Sequence, residues 1–416
     1  MASISVASTA DTAGDGAAAF PPRQLELSAE DERTLIAVAN QIVSETLEAS
    51  EAFEADGRVS HADAEFAPGR PQLYSVSEDA LRAFFVDEWM ENMSSSATAE
   101  TTSTSSSSSR SSSSLRRTTS LYDDRSVLEA AKPIKIPLVL GTGVVQGTIE
   151  DAGFGALAST EQMWQMRDVG NRDVSLNQAR ILARIHGPTK DDPFRFLGVK
   201  WSIRAPLRPI VQQRDFLAVE STGMATDSSG QRVFYYLNHS IELPQVPEYP
   251  DIIRAGLTIC YIARAASPAT PGITSVYCQG FLDGRGRMIE QVGTALLGAA
   301  ISNVSSIIEV SYAKKLVWLV QAKQTSAPRS SSSSTACACC SKRFTSFVNP
   351  FGSRGRCTLC DRDICRQCVV KKPIPMPEDH RGGRQTLPRT FEFCVECILR
   401  AKQLPAADVA LAMLPE

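Results

Sequence analysis

Between Leu25 and Phe53 the apolar positions recur every three or four residues: Leu35, Val38, Ile42, Val43 and Leu47 share one helical face, and Ser28 and Asp31 stand where they can cap its start. This spacing predicts an amphipathic helix. A second helical pattern, SEDALRAFFVDEWMENM, precedes a Ser/Thr-rich tract. From Pro133 the texture changes. PLVLGTGVVQGTIEDA, FRFLGVKWSI, DFLAVESTGMA, QRVFYYLNHSIEL, LTICYIAR and TSVYCQGFLD are rich in β-branched and aromatic residues and are separated by Gly, Pro, Asp and Ser, which reads as strands of an antiparallel sheet. In LTICYIAR, Leu257, Ile259, Tyr261 and Ala263 fall on one face and Thr258, Cys260, Ile262 and Arg264 on the other. The second set is not wholly polar, so both faces are expected to be at least partly covered. Between the strands, STEQMWQMRDVGNRDVSLNQARILARI suggests one or two short helices. MIEQVGTALLGAAISNVSSIIEVSYAKKLVWLVQAK is the longest helix candidate, a core helix for the sheet; Glu290, Asn303, Glu309, Lys314 and Lys315 argue against its crossing a membrane.

Low-complexity segments divide the chain. Residues 1–22 are small and polar and are expected to be disordered, as is a Ser/Thr-rich insertion at 94–120. A body is expected over 23–325, a flexible Ser-rich linker over 326–335, a cysteine-rich unit over 336–400 and a tail over 401–416. The first residues lack a basic region followed by an apolar one, and no run of eighteen apolar residues occurs, so a cytoplasmic chain without a membrane span is expected. Arg116 and Arg117 precede three hydroxyl residues, a pattern that a basophilic kinase could use.

The net charge of −3 conceals an uneven distribution. From Cys337 to Arg400 twelve basic residues face six acidic ones, which leaves that segment about +6 and the rest about −9. Nothing in this balance points to nucleic acid. Nine of the eleven cysteines lie after residue 336; Cys260 and Cys278 sit alone in strand-like runs and read as core thiols.

The clustered cysteines form four C-x-x-C knuckles, Cys337/Cys340, Cys357/Cys360, Cys365/Cys368 and Cys394/Cys397, with Cys339 left over. In a reducing compartment such clusters are metal ligands rather than disulfides. Tetrahedral zinc takes four thiolates, so eight complete two closed sites for two Zn2+, structural rather than catalytic. A unit of about sixty residues buries little surface, and metal binding would supply the missing folding energy.

Four residues, DRDI, separate Cys360 from Cys365, where the RING pattern of ubiquitin ligases has two or three. The array resembles the FYVE zinc finger. That resemblance implies a cross-brace, with one zinc on Cys337, Cys340, Cys365 and Cys368 and the other on Cys357, Cys360, Cys394 and Cys397. SKRF after Cys340 and CRQC at the third knuckle match family positions. The family's paired histidines, its Trp-x-x-Asp lead-in and its Arg-Val-Cys are absent: SRGR precedes Cys357 and FEF precedes Cys394. Lys342, Arg343, Arg354, Arg356 and Arg366 are the candidates for a lipid head group, with phosphatidylinositol 3-phosphate on endosomal membrane as the ligand that the resemblance implies.

The larger segment resembles START-like lipid-binding domains, in the form joined to a FYVE-type finger in oomycete proteins. VVQGTIEDAGFG, FLGVKWSI, QRDFLAVESTGM, LNHSIELP, RAGLTICYIAR and AKKLVWL carry the likeness. It implies an α+β helix-grip fold, a curved antiparallel sheet with a long C-terminal helix, around a tunnel for one lipid or other hydrophobic ligand. Trp201, Phe216, Tyr235, Tyr261 and Phe281 are candidates to line it, or else core; Arg214 and Asp215 are a candidate pair, buried or at the surface. His61, His186, His239 and His380 are scattered and no catalytic set is visible, so no enzyme is expected. The expectation is a lipid-binding adaptor with peripheral membrane association and protein partners. Its rivals are a cross-brace scaffold or RING-like ubiquitin ligase, and a START-fold hydrolase, for which the sequence shows no acid/base pair.

Overall fold

The Ser28 hydroxyl accepts from the Asp31 amide at 3.1 Å and donates to the Asp31 carboxylate at 2.7 Å. The Ser28 amide also donates to that carboxylate, at 3.2 Å, so two amides that the first turn of a helix leaves without partners are satisfied where α1 (Ala29–Ala55) starts. The computed structural model describes residues 21–55, 72–73, 126–170, 176–204, 212–267, 272–302, 304–324, 335–344, 354–374 and 389–414. The helical pattern at 77–93, the tract at 94–120, Arg116, Arg117, His61, His380 and nearly all of the segments 1–22 and 326–335 lie outside these residues.

The sheet has nine strands: β1 (Gln72–Leu73), β2 (Val139–Gln146), β3 (Leu176–His186), β4 (Phe196–Arg204), β5 (Arg214–Thr226), β6 (Arg232–Ser240), β7 (Ile253–Arg254), β8 (Gly256–Ala265) and β9 (Ile273–Asp283). Their order is β1-β2-β9-β8-β6-β5-β4-β3, with β7 beside β5. Among the described residues only the two-residue strands β1 and β7 pair in parallel. The helices that accompany the sheet are α2 (Val127–Ala131), α3 (Ile149–Ala156), α4 (Glu161–Gly170), α5 (Glu290–Ser302) and α6 (Val304–Gln324).

Strand alternation gives the sheet two buried faces. On one, the grip face, Phe234, Tyr236, Ile259, Tyr261 and Ala263 pack with Phe154 of α3, Leu297 of α5 and Ile307 and Ile308 of α6. On the other, Val199, Trp201, Leu217, Leu237, Cys260 and Phe281 pack beneath Leu35, Ala39 and Ile42 of α1. The mixed composition of LTICYIAR follows from this arrangement: both its faces are covered.

Three elements differ from the sequence reading. The end of PLVLGTGVVQGTIEDA is helical, because Thr148 and Asp151 form a capping box that starts α3. Gly155 then lets α3 lie against α6: a Cβ there would come within 2.0 Å of the Ile307 carbonyl oxygen. LNQARILARI is the strand β3 rather than a helix. Its register against β4 shifts at three places, and such bulges break the alternation that marks a strand. The expected single long helix is two, α5 and α6, bent by 48°. Among the described residues no single helix is long and apolar enough to cross a membrane.

The cysteine-rich unit adds two antiparallel pairs, β10 (Arg354–Arg356) with β11 (Asp363–Cys365) and β12 (Val369–Ile374) with β13 (Arg389–Cys394), followed by α7 (Val395–Gln403) and α8 (Ala406–Ala412). Expected as a module on a flexible tether, it packs directly on the body. Ile374, Phe393, Ile398 and Ala401 form one buried cluster with Met166 of α4 and Leu316, Val317 and Val320 of α6; leaving so much apolar surface in water would cost more than docking it. Lys323 adds a 2.7 Å ion pair to Asp361. The segment 401–416, expected as a tail, completes α7 and forms α8, whose Ala406, Val409 and Ala410 enter the grip-face core.

Candidate functional site: a buried ion cluster and two cysteine tetrads

Two charges interrupt otherwise apolar strands, Lys200 in FLGVKWSI and Glu220 in DFLAVEST. Lys200 pairs with Ala218 and Glu220 with Gly198, so the two are diagonal neighbours on the grip face. Lys200 Nζ lies 2.5 Å from Glu220 Oε1 and donates to the Ala158 carbonyl at 2.7 Å. Arg167 of α4 closes the other side: its Nη1 and Nη2 donate to the two carboxylate oxygens at 3.0 and 2.9 Å, the bidentate geometry that suits guanidinium to carboxylate. The Tyr236 hydroxyl donates to the same carboxylate at 3.3 Å. Glu220 is 0% and Lys200 1% exposed.

This cluster is unbalanced. Burial alone would raise Glu220, but Arg167 and Lys200 overcome it and hold the carboxyl at about 2. Burial pushes Lys200 down to about 8; Glu220 opposes that fall and Arg167 adds to it. Two cations therefore share one carboxylate. The adjacent Asp168 lies 3.5 Å from Arg204 and 3.9 Å from Arg167. Lys314 of α6, also buried, donates to the carbonyls of Phe154, Gly155 and Leu157 at 2.6 to 2.9 Å, at the negative end of α3.

Aromatic rings wall the cluster. Lys200 Nζ is 4.8 Å from the centroid of Trp164 and 4.4 Å from that of Phe196, within cation–π range. The Arg167 guanidinium stands 5.5 Å over Tyr236, which stacks on Tyr261 at 4.7 Å. Trp164 Nε1 is buried without a hydrogen-bond partner.

Of the five aromatic candidates, Tyr261 belongs to the grip-face core, and Phe216, half-buried, shares that face by alternation with Ala218 and Glu220. Trp201 and Phe281 lie in the opposite core under α1. Tyr235 has the parity of Val233 and Leu237 and points to that same side. The five do not line one interior, because their strand parities differ. Asp215 is held by Arg254 at 2.8 Å and by Trp201 Nε1 at 2.9 Å, while Arg214 donates to the Gly284 and Gln212 carbonyls at 2.8 and 2.6 Å. His239 is buried against Thr258 Oγ1 at 2.8 Å, and burial pushes it down to about 4.

The thiols group as two interleaved sets, Cys337, Cys340, Cys365 and Cys368, and Cys357, Cys360, Cys394 and Cys397; within each set all sulfurs lie within 4.8 Å of one another. Ser341 and Asp361, each following the second cysteine of a knuckle, adopt φ of 58° and 56°, the left-handed turn that folds the chain back around a sulfur. The amides of Cys365, Cys394 and Cys397 donate to Cys337, Cys357 and Cys394 Sγ at 3.3 Å, which favours the thiolate form. Four converging sulfurs fit a tetrahedral metal site. Cys339 stands outside both sets, half-buried.

The five head-group candidates are exposed. Arg354 pairs with Asp363 and stands 5.2 Å over the Phe344 ring; Arg356 Nε donates to the Asp361 carbonyl at 3.1 Å; Lys342 Nζ donates to Gln367 at 3.2 Å. Arg343 joins Ala336 in a backbone bridge, and Arg366 follows Cys365 at the end of β11. The residues that sequence reasoning missed are Arg167, Lys200, Glu220 and Trp164.

No protein-family model matches the sequence, and no curated protein is similar to it. Among solved structures the chain resembles human STARD10 (12% identity, TM-score 0.31, 44% of this chain and 66% of that one). It also resembles human StAR-related lipid transfer protein 5 (16% identity, TM-score 0.31, 42% and 78%) and the lipid transfer and protein localization domain of human StarD13 (12% identity, TM-score 0.30, 42% and 75%). The chain spans just under two thirds of STARD10.

Proposed function

We propose that this chain is a non-enzymatic lipid-binding adaptor: its helix-grip body takes a hydrophobic ligand, and its cross-brace finger, loaded with two Zn2+, attaches the body to a membrane or a protein. The observation that carries the reading is the ion cluster of Arg167, Lys200 and Glu220, set into a face otherwise built of Phe196, Tyr236, Tyr261 and aliphatic side chains. Ligand sites for apolar molecules have this composition, an apolar wall with a few placed polar groups. The two tetrads offer four thiolates each and no open position, which suits structural zinc. The FYVE-type spacing and the exposed Lys342, Arg343, Arg354, Arg356 and Arg366 support a phosphoinositide surface and residence on the cytoplasmic side of endosomal membranes.

Native mass spectrometry of the full-length chain tests both parts together. A mass increment of two zinc ions plus one lipid is the expected result; a chain free of lipid that takes up none from mixed vesicles would sink the ligand-binding reading.

One observation favours a protein-recruiting finger, as in a scaffold or RING-like ubiquitin ligase. Val395 and Leu399, one turn apart on α7, are 41% and 52% exposed beside the second tetrad. Co-sedimentation of the full chain with vesicles, with and without phosphatidylinositol 3-phosphate, separates the readings: selective pelleting supports the membrane surface, and its absence favours protein recruitment.

A further inference from the structure

Buried charges are retained in folded proteins when they are paired and hydrogen-bonded, and an excess of one sign in the interior is costly. Around Glu220 the count is two to one. Arg167 and Lys200, both buried, share a single carboxylate. Asp168 widens the cluster without balancing it: its carboxylate lies 3.9 Å from Arg167 Nε and 3.5 Å from Arg204 Nη2, which makes three cations to two carboxylates, and Lys314 is answered by three carbonyls at the end of α3. Lys200 has two hydrogen bonds in place, to Ala158 and Glu220, where an ammonium offers three donors. Trp164 supplies a second, independent observation. Its Nε1 is a buried donor with no partner, and its ring lies against the Lys200 ammonium at 4.8 Å. An unmet donor and an uncompensated cation, side by side on the apolar grip face, ask for the same thing: an acceptor that carries one negative charge.

We infer that the ligand of the grip face is a hydrophobic molecule with a monoanionic head, of the carboxylate or phosphodiester class, whose oxygens accept from Lys200 and Trp164 Nε1. The head completes a three-to-three cluster with Glu220 and Asp168, and the hydrocarbon lies along Tyr236 and Tyr261 toward the aliphatic side chains of β8 and β9. This rests on the ligand-binding reading above and specifies its substrate class. A sterol or other neutral lipid would leave the second cation unanswered. Because burial holds Lys200 down at about 8 in the absence of such a partner, arrival of an anion restores its proton, so binding at pH 8.5 takes a proton up.

The test uses full-length, delipidated, zinc-loaded protein titrated calorimetrically at pH 8.5 in two buffers of different ionisation enthalpy. The probes are oleate, oleyl alcohol and inorganic phosphate. Oleate should bind at least about tenfold more tightly than the alcohol, with buffer-dependent heat that shows proton uptake. Lys200→Met should abolish both the preference and the proton uptake, and Trp164→Phe, which keeps the ring and removes the donor, should weaken oleate several-fold with no change in melting temperature. Equal affinity for oleate and the alcohol overturns the anionic class and leaves the hydrophobic site standing. Binding of neither overturns the site itself. Saturable binding of phosphate without oleate overturns the lipid and assigns the cluster to a small anion.

Discussion

Lys315 Nζ lies 2.6 Å from Asp151 Oδ1, and both side chains are almost completely buried between α6 and α3. The same oxygen accepts from Ser311 at 2.8 Å, and Asp151 belongs to the capping box of α3. One carboxylate thus fixes the start of one helix and the approach of another. Replacing Lys315 by Met leaves that carboxylate buried with its cation gone and should cost about 3–5 kcal/mol. The double variant with Asp151→Asn should recover part of the loss. Thermal unfolding of the single and double variants, followed by circular dichroism, checks this; additive losses would show that the pair is not coupled.

At the ion cluster, the two ends of one ion pair should respond in opposite ways. Lys200→Met removes the surplus cation and leaves Arg167 and Glu220 as a neutral bidentate pair, so stability should hold or rise. Glu220→Gln strands two buried cations and should cost about 3–5 kcal/mol. Urea midpoints measured in parallel decide it, and comparable losses for both would mean that the cluster is balanced as it stands.

Acid should destabilise the fold in two steps. His239 is pushed down to about 4 from its usual 6.5 by burial, so the unfolded chain binds the proton first and stability falls as pH drops from 6.5 toward 4. Glu220, held at about 2 against its usual 4.5, contributes stability that is complete above 4.5 and lost as pH falls from there toward 2. Denaturant midpoints across pH 7 to 3 should show both steps, and His239→Gln should remove the upper one alone.

Metal content tests the grouping of the thiols. Cys365→Ser should take the chain from two bound ions to one, whereas Cys339→Ser, outside both tetrads, should keep two. Native mass spectrometry gives the count, and loss of an ion from the Cys339 variant would give that thiol a ligand's role.

Chelation should reach further than the finger. Because Phe393 and Ile398 pack on Leu316 and Val317, and Val409 and Ala410 on the grip-face core, metal removal should speed amide exchange in 304–324 and 149–156 as well as in 335–414. Exchange confined to the last segment would show the body to be self-sufficient.

The grouping of the cysteines was legible because knuckle spacing is a local property: each C-x-x-C turn brings two thiols together without reference to the rest of the chain. The sheet was legible in outline, since β4, β5, β6, β8 and β9 carry β-branched and aromatic runs bounded by turn residues. The ion cluster was not. Lys200 and Glu220 are each a single charge in an apolar strand, and only the register of β4 against β5, together with the placement of α4, brings them to one face with Arg167. The same dependence on parity divides Trp201 and Phe281 from Tyr261. For β3, three register shifts erased the signal that would have marked it as a strand.

The two cysteine tetrads are threaded between two pieces of one core, α6 before them and α8 after them, and Cys397 lies only a few residues ahead of Ala406, where the chain returns to the grip face. On the ribosome the body therefore emerges incomplete. The inward-facing side chains of α8 follow the final cysteine pair, and a metal ion held by the tetrads would draw the ends together and let them seat. If the tetrads hold zinc as proposed, its supply would act as a checkpoint on maturation: in a zinc-starved cell the nascent protein should accumulate as an open form with Ile307 and Phe154 unshielded, a species suited to recognition by quality control before any ligand has been bound.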